Sequence, residues 1–365
     1  MKYVVTAGGT GGHIYPALAI ISEIRKQDKT SEILYIGTTD RMEKDIVPNY
    51  DIKFIGIEIS GLDRKHIFKN IQVLKKYNAA KKKALEVLKD FNPDIVIGVG
   101  GYITLPVLKA AFKLHIPTII HEQNSIPGLA NKILAKKVNK VCISLPGSKK
   151  YFNEKKVVYT GNPRSEEVLD VSVCKKSEYG FKDNLKLVVF VMGSLGSTTM
   201  TNKLKEMIES FKNKTYQVLV ITGKNYYDNY KELNLPDNVK LLPYCENLIN
   251  LLKDTDLIVS RAGASTIAEI TVIGLPAILV PSPYVTHNHQ YKNAKELEDL
   301  GACKLITEEE FNKEKIITEI DKLFDNKEYY DNMHNSSLLL GIKDSKNRIY
   351  KVIQEVIGDK HEWHY

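Results

Sequence analysis

Short apolar runs alternate with longer amphipathic stretches along the whole chain of 365 residues. The short runs are rich in valine, isoleucine and leucine, as buried strands are, and the longer stretches have helical periodicity. This alternation favours parallel sheets covered by helices. The predicted strands lie at 2–6, 33–37, 53–57, 94–98, 117–120, 140–143 and 157–160 in the first half, and at 186–192, 217–222, 239–242, 256–260, 277–280 and 303–306 in the second.

The two halves of the chain repeat the same pattern weakly. The run 3–9 opens the first half as 187–193 opens the second, and 94–101 is echoed by 256–263. In each of these runs a strand enters a turn of small residues. Because doubly wound sheets bind ligands at the carboxyl ends of their strands, the pattern predicts an α/β fold of two Rossmann-like doubly wound domains that face a cleft.

The polar and charged stretch 164–184 separates the last strand of one half from the first strand of the other. We therefore expect an N-terminal domain at 1–163 and a C-terminal domain at 164–345. The final helical stretch, about 346–357, could pack on either domain.

Composition is that of a globular protein, with 43% hydrophobic and 26% charged residues. No uninterrupted apolar segment reaches the length of a membrane helix, and the N-terminus lacks the pattern of an export signal. The four cysteines are far apart and lack zinc-ligand spacing, which fits a reducing compartment. We therefore expect a cytosolic location.

Positive charge is concentrated in the first half of the chain. Residues 1–164 hold 27 basic and 14 acidic residues, whereas the remainder holds 25 basic and 30 acidic residues. A basic domain prefers an anionic partner. No nucleic-acid motif accompanies the charge, so we expect no nucleic-acid partner and favour an anionic lipid surface.

Four glycines surround Thr10 in the turn 8–12, between a predicted strand and a predicted helix. Glycines let successive backbone N–H groups point into one concavity, and the helix N-terminus adds partial positive charge. The turn, with Gly11 and Gly12, therefore predicts a phosphate site. It is neither a P-loop nor a dinucleotide fingerprint, and the alternative is a tight bend.

His13 follows this turn and is a candidate general base, because a helix N-terminus disfavours the charged imidazolium. It could instead only hydrogen-bond a neighbouring loop. Glu122 is a rival base in the polar run 121–124 at the end of another strand, where Asn124 can bind a hydroxyl or amide group. The alternative for this run is a polar loop with a structural role.

Two further turns in the second half carry candidate binding groups. Residues 193–197 form a second glycine turn between strand and helix, with the hydroxyl of Ser194, and predict a second phosphate site. The run 260–269 forms another strand, turn and helix start. Glu269 lies one turn beyond Ser265 there, where a carboxylate can accept from both hydroxyls of a ribose, although a lone helical glutamate is usually solvated.

Polar side chains at 287–290 follow a later strand and suit a sugar with several hydroxyls, but they are a poor metal site because no carboxylate or cysteine adjoins them. Asp254 and Asp256 match the DxD pattern with which some sugar transferases bind a metal. Asp256 leads directly into a strand, so we expect this pair to be structural. No metal and no cofactor are expected.

These motifs together resemble the MurG family of glycosyltransferases. The matching segments follow the order of that family over nearly the whole chain: GGTGGH at 8–13, HEQN at 121–124, GNP at 161–163, GS at 193–194, SRAGASTIAE at 260–269 and HQ at 289–290. The resemblance implies a GT-B fold and metal-independent, inverting transfer of N-acetylglucosamine from UDP-N-acetylglucosamine. The implied acceptor is the 4-hydroxyl of N-acetylmuramic acid in lipid I, the undecaprenyl-diphosphate-linked MurNAc-pentapeptide, and the product is lipid II for peptidoglycan synthesis.

The resemblance also implies roles for individual residues. On the donor side Ser194 contacts the diphosphate, Glu269 the ribose, Gln290 the sugar and Cys245 the uracil, with Ala264, Ser265, Thr266 and His289 beside them. On the acceptor side Thr10, Gly11, Gly12 and Asn124 lie beside the reacting sugars, and His13 or Glu122 is the base.

The sequence departs from the family pattern at three places. Arg164 directly follows Pro163, whereas the family often has an arginine one position later, which leaves its phosphate role open. Met192 and Leu195 replace a frequent glycine and glutamine, and His289 replaces a frequent glutamine. None of these changes removes a backbone N–H donor.

Segment 64–91 mixes basic and large apolar residues, and the resemblance implies that the enzyme docks there on the cytoplasmic face of the cell membrane as a peripheral protein. The alternative for this segment is a solvated helix face. Two other functions share the fold: a UDP-N-acetylglucosamine 2-epimerase, and a non-catalytic nucleotide-sugar-binding subunit.

Overall fold

The computed structural model describes residues 1–61, 70–192 and 198–362, without the side chains of residues 70–72, 286 and 359–362. The chain divides into two compact units. The first comprises Met1–Arg164 and the C-terminal segment that begins at Asp344, and the second comprises Ser165–Lys343.

The first unit contains seven strands among the residues described. They are β1 (Lys2–Thr6), β2 (Glu32–Thr38), β3 (Lys53–Ile57), β4 (Ile95–Gly98), β5 (Thr118–Glu122), β6 (Lys140–Ile143) and β7 (Val157–Tyr159). All pair in parallel, in the order β3-β2-β1-β4-β5-β6-β7. The helices of this unit are α1 (Gly11–Gln27), α2 (Glu43–Ile46), α3 (Asn70–Phe91), α4 (Thr104–Lys113), α5 (Leu129–Leu134) and the last helix of the chain, α13 (Ser345–Glu362).

The second unit repeats this topology with six strands in its described part. They are β8 (Lys186–Val191), β9 (Tyr216–Ile221), β10 (Val239–Leu242), β11 (Leu257–Ser260), β12 (Ala277–Leu279) and β13 (Lys304–Leu305), again all parallel, in the order β10-β9-β8-β11-β12-β13. Its helices are α6 (Ser165–Asp170), α7 (Thr198–Met207), α8 (Leu248–Leu252), α9 (Ala264–Ile273), α10 (His289–Asp299), α11 (Lys313–Asp325) and α12 (Lys327–Leu340).

Alternate residues of each strand enter the cores on opposite faces of the sheet. In β1, Tyr3 and Val5 pack into one apolar cluster and Val4 into another, and all three are fully buried. Strands buried on both faces read as continuous apolar runs. This is why every strand predicted from the sequence lies close to an observed strand, and the prediction of two doubly wound parallel-sheet domains is confirmed.

The final helix α13 packs on the first unit. Its apolar face, including Ile349, Ile353 and Val356, is buried in the same cluster as Tyr3 of β1 and residues of α1. The structure thus settles which of the two sheets this helix covers, a question that the sequence left open.

Candidate active site

Strand order reverses direction between β1 and β4, and the turns that follow these two strands pack directly on each other. The N–H of Gly8 donates to the carbonyl of Gly100 at 3.2 Å. Gly101 has φ +87°, and a Cβ there would lie 2.3 Å from the oxygen of Gly8. Only glycines allow this approach. The 8–12 turn therefore lies at the switch point where doubly wound sheets bind ligands.

Helix α1 begins inside the 8–12 turn. Thr10 is the N-cap residue, with extended backbone, and its side chain does not cap the helix. The first N–H groups of a helix have no acceptor within the helix, so those of Gly11 and Gly12 point out of its N-terminus. Together with the helix dipole they can bind an anionic group.

The ring of His13 is fixed by the two glycine turns. Its Nδ1 lies 3.1 Å from the carbonyl oxygen of Gly8, and a Cβ on Gly100 would lie 2.5 Å from its Cδ2. A carbonyl oxygen can only accept, so a neutral ring donates from Nδ1 and carries its lone pair on Nε2. This is the tautomer that a general base at Nε2 requires.

Glu43 holds the 8–12 turn in place by a hydrogen bond to its backbone, a role that nothing in the sequence indicates. Its carboxylate is fully buried, with Oε1 accepting from the N–H and hydroxyl of Thr38 and Oε2 from the N–H of Gly9 at 3.2 Å. The Gly9 N–H is thus occupied by the protein's own carboxylate. An anionic ligand is left with the amides at the start of α1.

A buried hydrogen-bond network joins the ends of β4, β5 and β7. The Nε2 of His121 lies 3.0 Å from the carbonyl oxygen of Gly161 and therefore donates, and its Nδ1 accepts from Gln123 at 3.0 Å. Gln123 donates to the carbonyl of Val99 as well. The run 121–124 is thereby held against the turn that contacts His13.

This network predicts acid sensitivity. Burial lowers the pKa of His121 to about 4 from its ordinary value of 6.5, so between these pH values only the unfolded chain binds the proton. We expect the free energy of unfolding to fall by up to about 1.4 kcal/mol per unit as pH decreases from 6.5 to 4, beyond the contribution of other groups. Urea titrations at several pH values give the free energy of unfolding, and its slope against pH should be smaller for His121→Gln than for the wild type. They should show an unchanged slope for the control His115→Asn, which removes an exposed histidine. An unchanged slope in His121→Gln would contradict the assignment.

Both oxygens of Glu122 are used inside the first unit. Oε1 accepts from the N–H of Asn124 at 3.0 Å, and Oε2 accepts from the N–H of Gly128 at 3.1 Å and from the amide of Asn131 at 2.8 Å. The residue is almost fully buried. This arrangement clamps the loop between β5 and α5, and it keeps Asn124 half-buried at the sheet edge.

Arg164 lies beside the 8–12 turn. Its guanidinium stacks over the ring of Tyr15 at 5.2 Å, and Tyr15 in turn lies against Gly11. Stacking on an aromatic ring fixes the plane of a guanidinium group, so its N–H donors point in defined directions. The structure therefore brings Arg164 to the same helix start as Thr10, Gly11 and Gly12.

In the second unit, the turn 193–197 with Ser194 lies outside the described residues. The neighbouring strand β11 leads into α9, whose N-cap Gly263 provides no side-chain cap. Ala264, Ser265 and Thr266 form the first turn of this helix, so their amides lie at a helix N-terminus as those of Gly11 and Gly12 do in α1. Glu269 lies one turn further along α9 and is half-buried.

Helix α10 is joined to this turn and presents Gln290 in a fixed orientation. Asn293 of α10 is buried and donates to the carbonyl of Ala262 at 3.3 Å. The Oε1 of Gln290 accepts from the N–H of Ser282 at 2.8 Å, which leaves its amide nitrogen as the group that can donate to a ligand. His289 is half-buried at the first position of the same helix.

Cys245 follows β10, so β9 and β8 separate it from α9 along the sheet. Its thiol is buried and lies 3.2 Å from the hydroxyl of Tyr179. Because the side chain is directed into the protein, backbone groups are what this position can offer to a ligand.

Arg261 and Glu308 form a buried ion pair that the sequence did not reveal. Their N and O atoms lie 2.7 Å apart, and Arg261 also donates to the carbonyl of Val280. The pair ties the turn after β11 to the segment after β13. A charged residue directly before a glycine turn, with an acidic residue after the last strand, is the only signal in the sequence.

The DxD pair lies at the amino ends of the strands of the second sheet, whereas the candidate donor-binding turns lie at their carboxyl ends. Asp256 precedes β11 and pairs with Lys176 at 3.0 Å, and Asp254 accepts from the N–H of Lys176 at 2.7 Å. Both carboxylates therefore serve the amino ends of the strands. Among the residues described, no cluster of histidine, cysteine and acidic side chains has the arrangement of a metal site.

Within the described ranges, no helix has the length and apolarity needed to cross a membrane. Part of the basic and apolar segment 64–91, residues 64–69, lies outside the described residues. Its remainder belongs to α3, where Leu74 is 60% exposed and Lys75 and Lys76 are exposed as well.

Comparisons with known proteins identify the family. Residues 3–143 match the glycosyltransferase family 28 N-terminal domain, and residues 187–355 match the family 28 C-terminal domain. A relative from Bacillus cytotoxicus is 43% identical over 98% of this chain and 100% of its own length, and one from Bacillus pumilus is 44% identical over 98% and 99%. Both are named UDP-N-acetylglucosamine--N-acetylmuramyl-(pentapeptide) pyrophosphoryl-undecaprenol N-acetylglucosamine transferase.

Solved structures agree with this result. The crystal structure of Acinetobacter baumannii MurG superposes with a TM-score of 0.81, at 26% identity, over 97% of this chain and 100% of that one. A UDP-GlcNAc 2-epimerase from Neisseria meningitidis has a TM-score of 0.68 at 19% identity, over 97% and 100%, and shares the fold alone. The chain therefore belongs to glycosyltransferase family 28 and, within it, to the MurG family.

Proposed function

We propose that this glycosyltransferase moves N-acetylglucosamine from UDP-N-acetylglucosamine to the 4-hydroxyl of N-acetylmuramic acid in lipid I, and so forms lipid II for peptidoglycan synthesis. The observation that carries the proposal is the identity of 43% over nearly the whole length of relatives that bear this name. The ordered helix starts at the carboxyl edges of both sheets support it.

In the proposed reaction, Nε2 of His13 removes the proton from the acceptor hydroxyl as its oxygen attacks the anomeric carbon of the donor sugar. The bond from that carbon to the diphosphate breaks, UDP leaves, and the configuration inverts. The neutral tautomer set by the carbonyl of Gly8 supports this role. Glu122 is the weaker candidate because its oxygens already accept four backbone or side-chain amide N–H groups.

The second unit is proposed to bind the donor. Negative charge grows on the leaving diphosphate, and the helix dipole and amides at the N-terminus of α9, at Ala264, Ser265 and Thr266, can stabilise it without a metal. Glu269 would accept from the ribose hydroxyls, and the amide nitrogen of Gln290 would donate to the sugar. The remaining proposed donor contacts are Ser194 at the diphosphate, His289 beside the sugar and the backbone of Cys245 at the uracil.

The first unit is proposed to bind the acceptor. Gly11 and Gly12 would donate backbone N–H groups, and Thr10 and Asn124 would hydrogen-bond the reacting sugars. Arg164, stacked on Tyr15 beside Gly11, would add positive charge next to an anionic group. Its position supports a role in phosphate binding in spite of the shift from the family pattern.

A lipid-linked acceptor requires the enzyme to work at a membrane surface. We place it on the cytoplasmic face of the cell membrane as a peripheral protein. The exposed Leu74 and the lysines of α3 support contact with anionic lipid, to which each basic residue near the surface contributes about 1 kcal/mol.

The proposal is tested by UDP release from the purified protein. Release should require both UDP-N-acetylglucosamine and a lipid I analogue, should continue over many turnovers, and should persist in EDTA. Loss of activity in EDTA would contradict metal independence. If the donor alone is converted to its C2 epimer, as followed by NMR, the protein is an epimerase. If the protein binds the donor but releases no UDP when the acceptor is present, even in a single turnover, it is a non-catalytic subunit.

A further inference from the structure

An exposed apolar surface lies on α5 and the turn after β6, apart from α3. Leu129 and Ile133 are 53% and 39% exposed, and they lie one turn apart on α5. Tyr151, 40% exposed, lies beside Lys132 of the same helix, whose Nζ is 4.9 Å from the ring centroid. Lys150 contacts the same ring. We call these five residues the α5 surface.

Positive charge dominates this region of the chain. Residues 125–156 contain eight lysines and a single acidic residue, Glu154, which pairs with Lys149. Lys136 and Lys137, which directly follow α5 in the chain, are exposed. Aliphatic side chains mixed with lysines are what an anionic lipid interface binds: the apolar groups enter the acyl boundary and the ammonium groups stay among the headgroups.

The inner side of α5 is tied to the candidate active site. Asn131 of α5 donates to Glu122 and also to the carbonyl of His121, and the N-cap Gly128 donates to Glu122. These bonds fix the helix, so its outer residues Leu129 and Ile133 have a defined position relative to the run 121–124.

We infer that the α5 surface is a second lipid-contact surface, which rests on an anionic bilayer beside the acceptor site. The inference rests on the proposed function, since a lipid-linked acceptor brings this edge of the first unit to the membrane. Charge complementarity supports lipid as the occupant, and the exposed aliphatic pair with an amphipathic tyrosine favours a bilayer over nucleic acid. Contact here would hold the 121–124 run over the headgroups while α3 provides a separate attachment.

Vesicle sedimentation without any substrate tests this inference. The full chain is mixed with phosphatidylcholine vesicles that contain or lack phosphatidylglycerol. The variant Leu129→Ser/Ile133→Ser/Tyr151→Ser should bind the anionic vesicles about tenfold more weakly than the wild type. The matched control Val173→Ser/Leu300→Ser/Leu339→Ser removes three apolar side chains that are also exposed, in the second unit, and should bind as the wild type does.

A charge variant, Lys132→Glu/Lys150→Glu, should lose the preference for phosphatidylglycerol. Equal binding by the apolar variant and its control would overturn the inference. The inference would also be overturned if the apolar variant changed its oligomeric state while its vesicle binding stayed the same. A third contradicting result is a wild type that binds an oligonucleotide and a charge variant that loses this binding but keeps its vesicle binding. The apolar variant should keep its turnover with a short-chain, water-soluble acceptor. If the wild type transfers no sugar at all, the proposed function fails while the vesicle result still stands.

Discussion

Replacement of His13 by alanine should lower kcat by about 10²- to 10⁴-fold, which is the usual contribution of a general base. The change removes the Nε2 lone pair that accepts the proton of the acceptor hydroxyl. His13 belongs to the first unit, so binding of UDP-N-acetylglucosamine should change little. Steady-state UDP release gives kcat, and titration calorimetry with UDP-N-acetylglucosamine gives the dissociation constant of the donor.

Two further variants separate the base from its surroundings. His13→Asn keeps an amide that can donate to the carbonyl of Gly8 but has no base, so it should be as slow as the alanine variant. Gly100→Ala keeps the base but places a Cβ 2.5 Å from its ring, so kcat should also fall. Turnover of His13→Ala within threefold of the wild type would show that another group takes the proton.

Replacement of Glu122 by alanine should destabilise the protein by about 3 to 5 kcal/mol. The change removes the acceptor of the N–H groups of Asn124 and Gly128 in the loop between β5 and α5, and leaves the buried amide of Asn131 with only the carbonyl of His121. Glu122→Gln should also be destabilised, because its NH₂ group would face one of these donors. Urea unfolding measures the loss.

The same pair of variants distinguishes a clamp from a base. If Glu122 acts as a clamp, the protein loses stability in both variants, and its activity falls only to the extent that the loop is displaced. If Glu122→Gln unfolds at the same urea concentration as the wild type and still loses turnover more than a hundredfold, Glu122 is the base, and the role of His13 must be revised. Asn131→Ala, which removes one partner of Glu122 and no candidate base, is the control.

The sheets could be predicted from the sequence because their strands are buried on both faces. In a run such as Tyr3-Val4-Val5, every side chain enters one of two cores, so the apolar residues are continuous and the strand is evident. The glycine turns could be predicted as well, since only glycine allows the approach of Gly101 to Gly8.

The supporting polar groups could not be predicted in the same way. Glu43 lies in the charged run 40–45, which looks like a solvated helix start, yet its carboxylate is buried. Room for it comes from Gly8 in the turn after β1 and Gly37 of β2: a Cβ on either would lie within 2.7 Å of the Glu43 side chain. Glu122 posed a similar problem, because a carboxylate in a polar run can act as a base or as a loop clamp. Only the positions of its donors distinguish these roles.

The most direct test of the central claim follows the sugar itself. The purified protein is incubated with UDP-N-acetylglucosamine labelled in the sugar and with a lipid I analogue, and the organic phase is analysed by mass spectrometry and NMR. We expect the label in a product that is one N-acetylglucosamine heavier than the acceptor, joined through the 4-hydroxyl of its muramoyl sugar by an inverted linkage. This product should form in EDTA and should be nearly absent with His13→Ala. Label that remains in UDP-linked sugar or its epimer, with the acceptor unchanged, would contradict the claim.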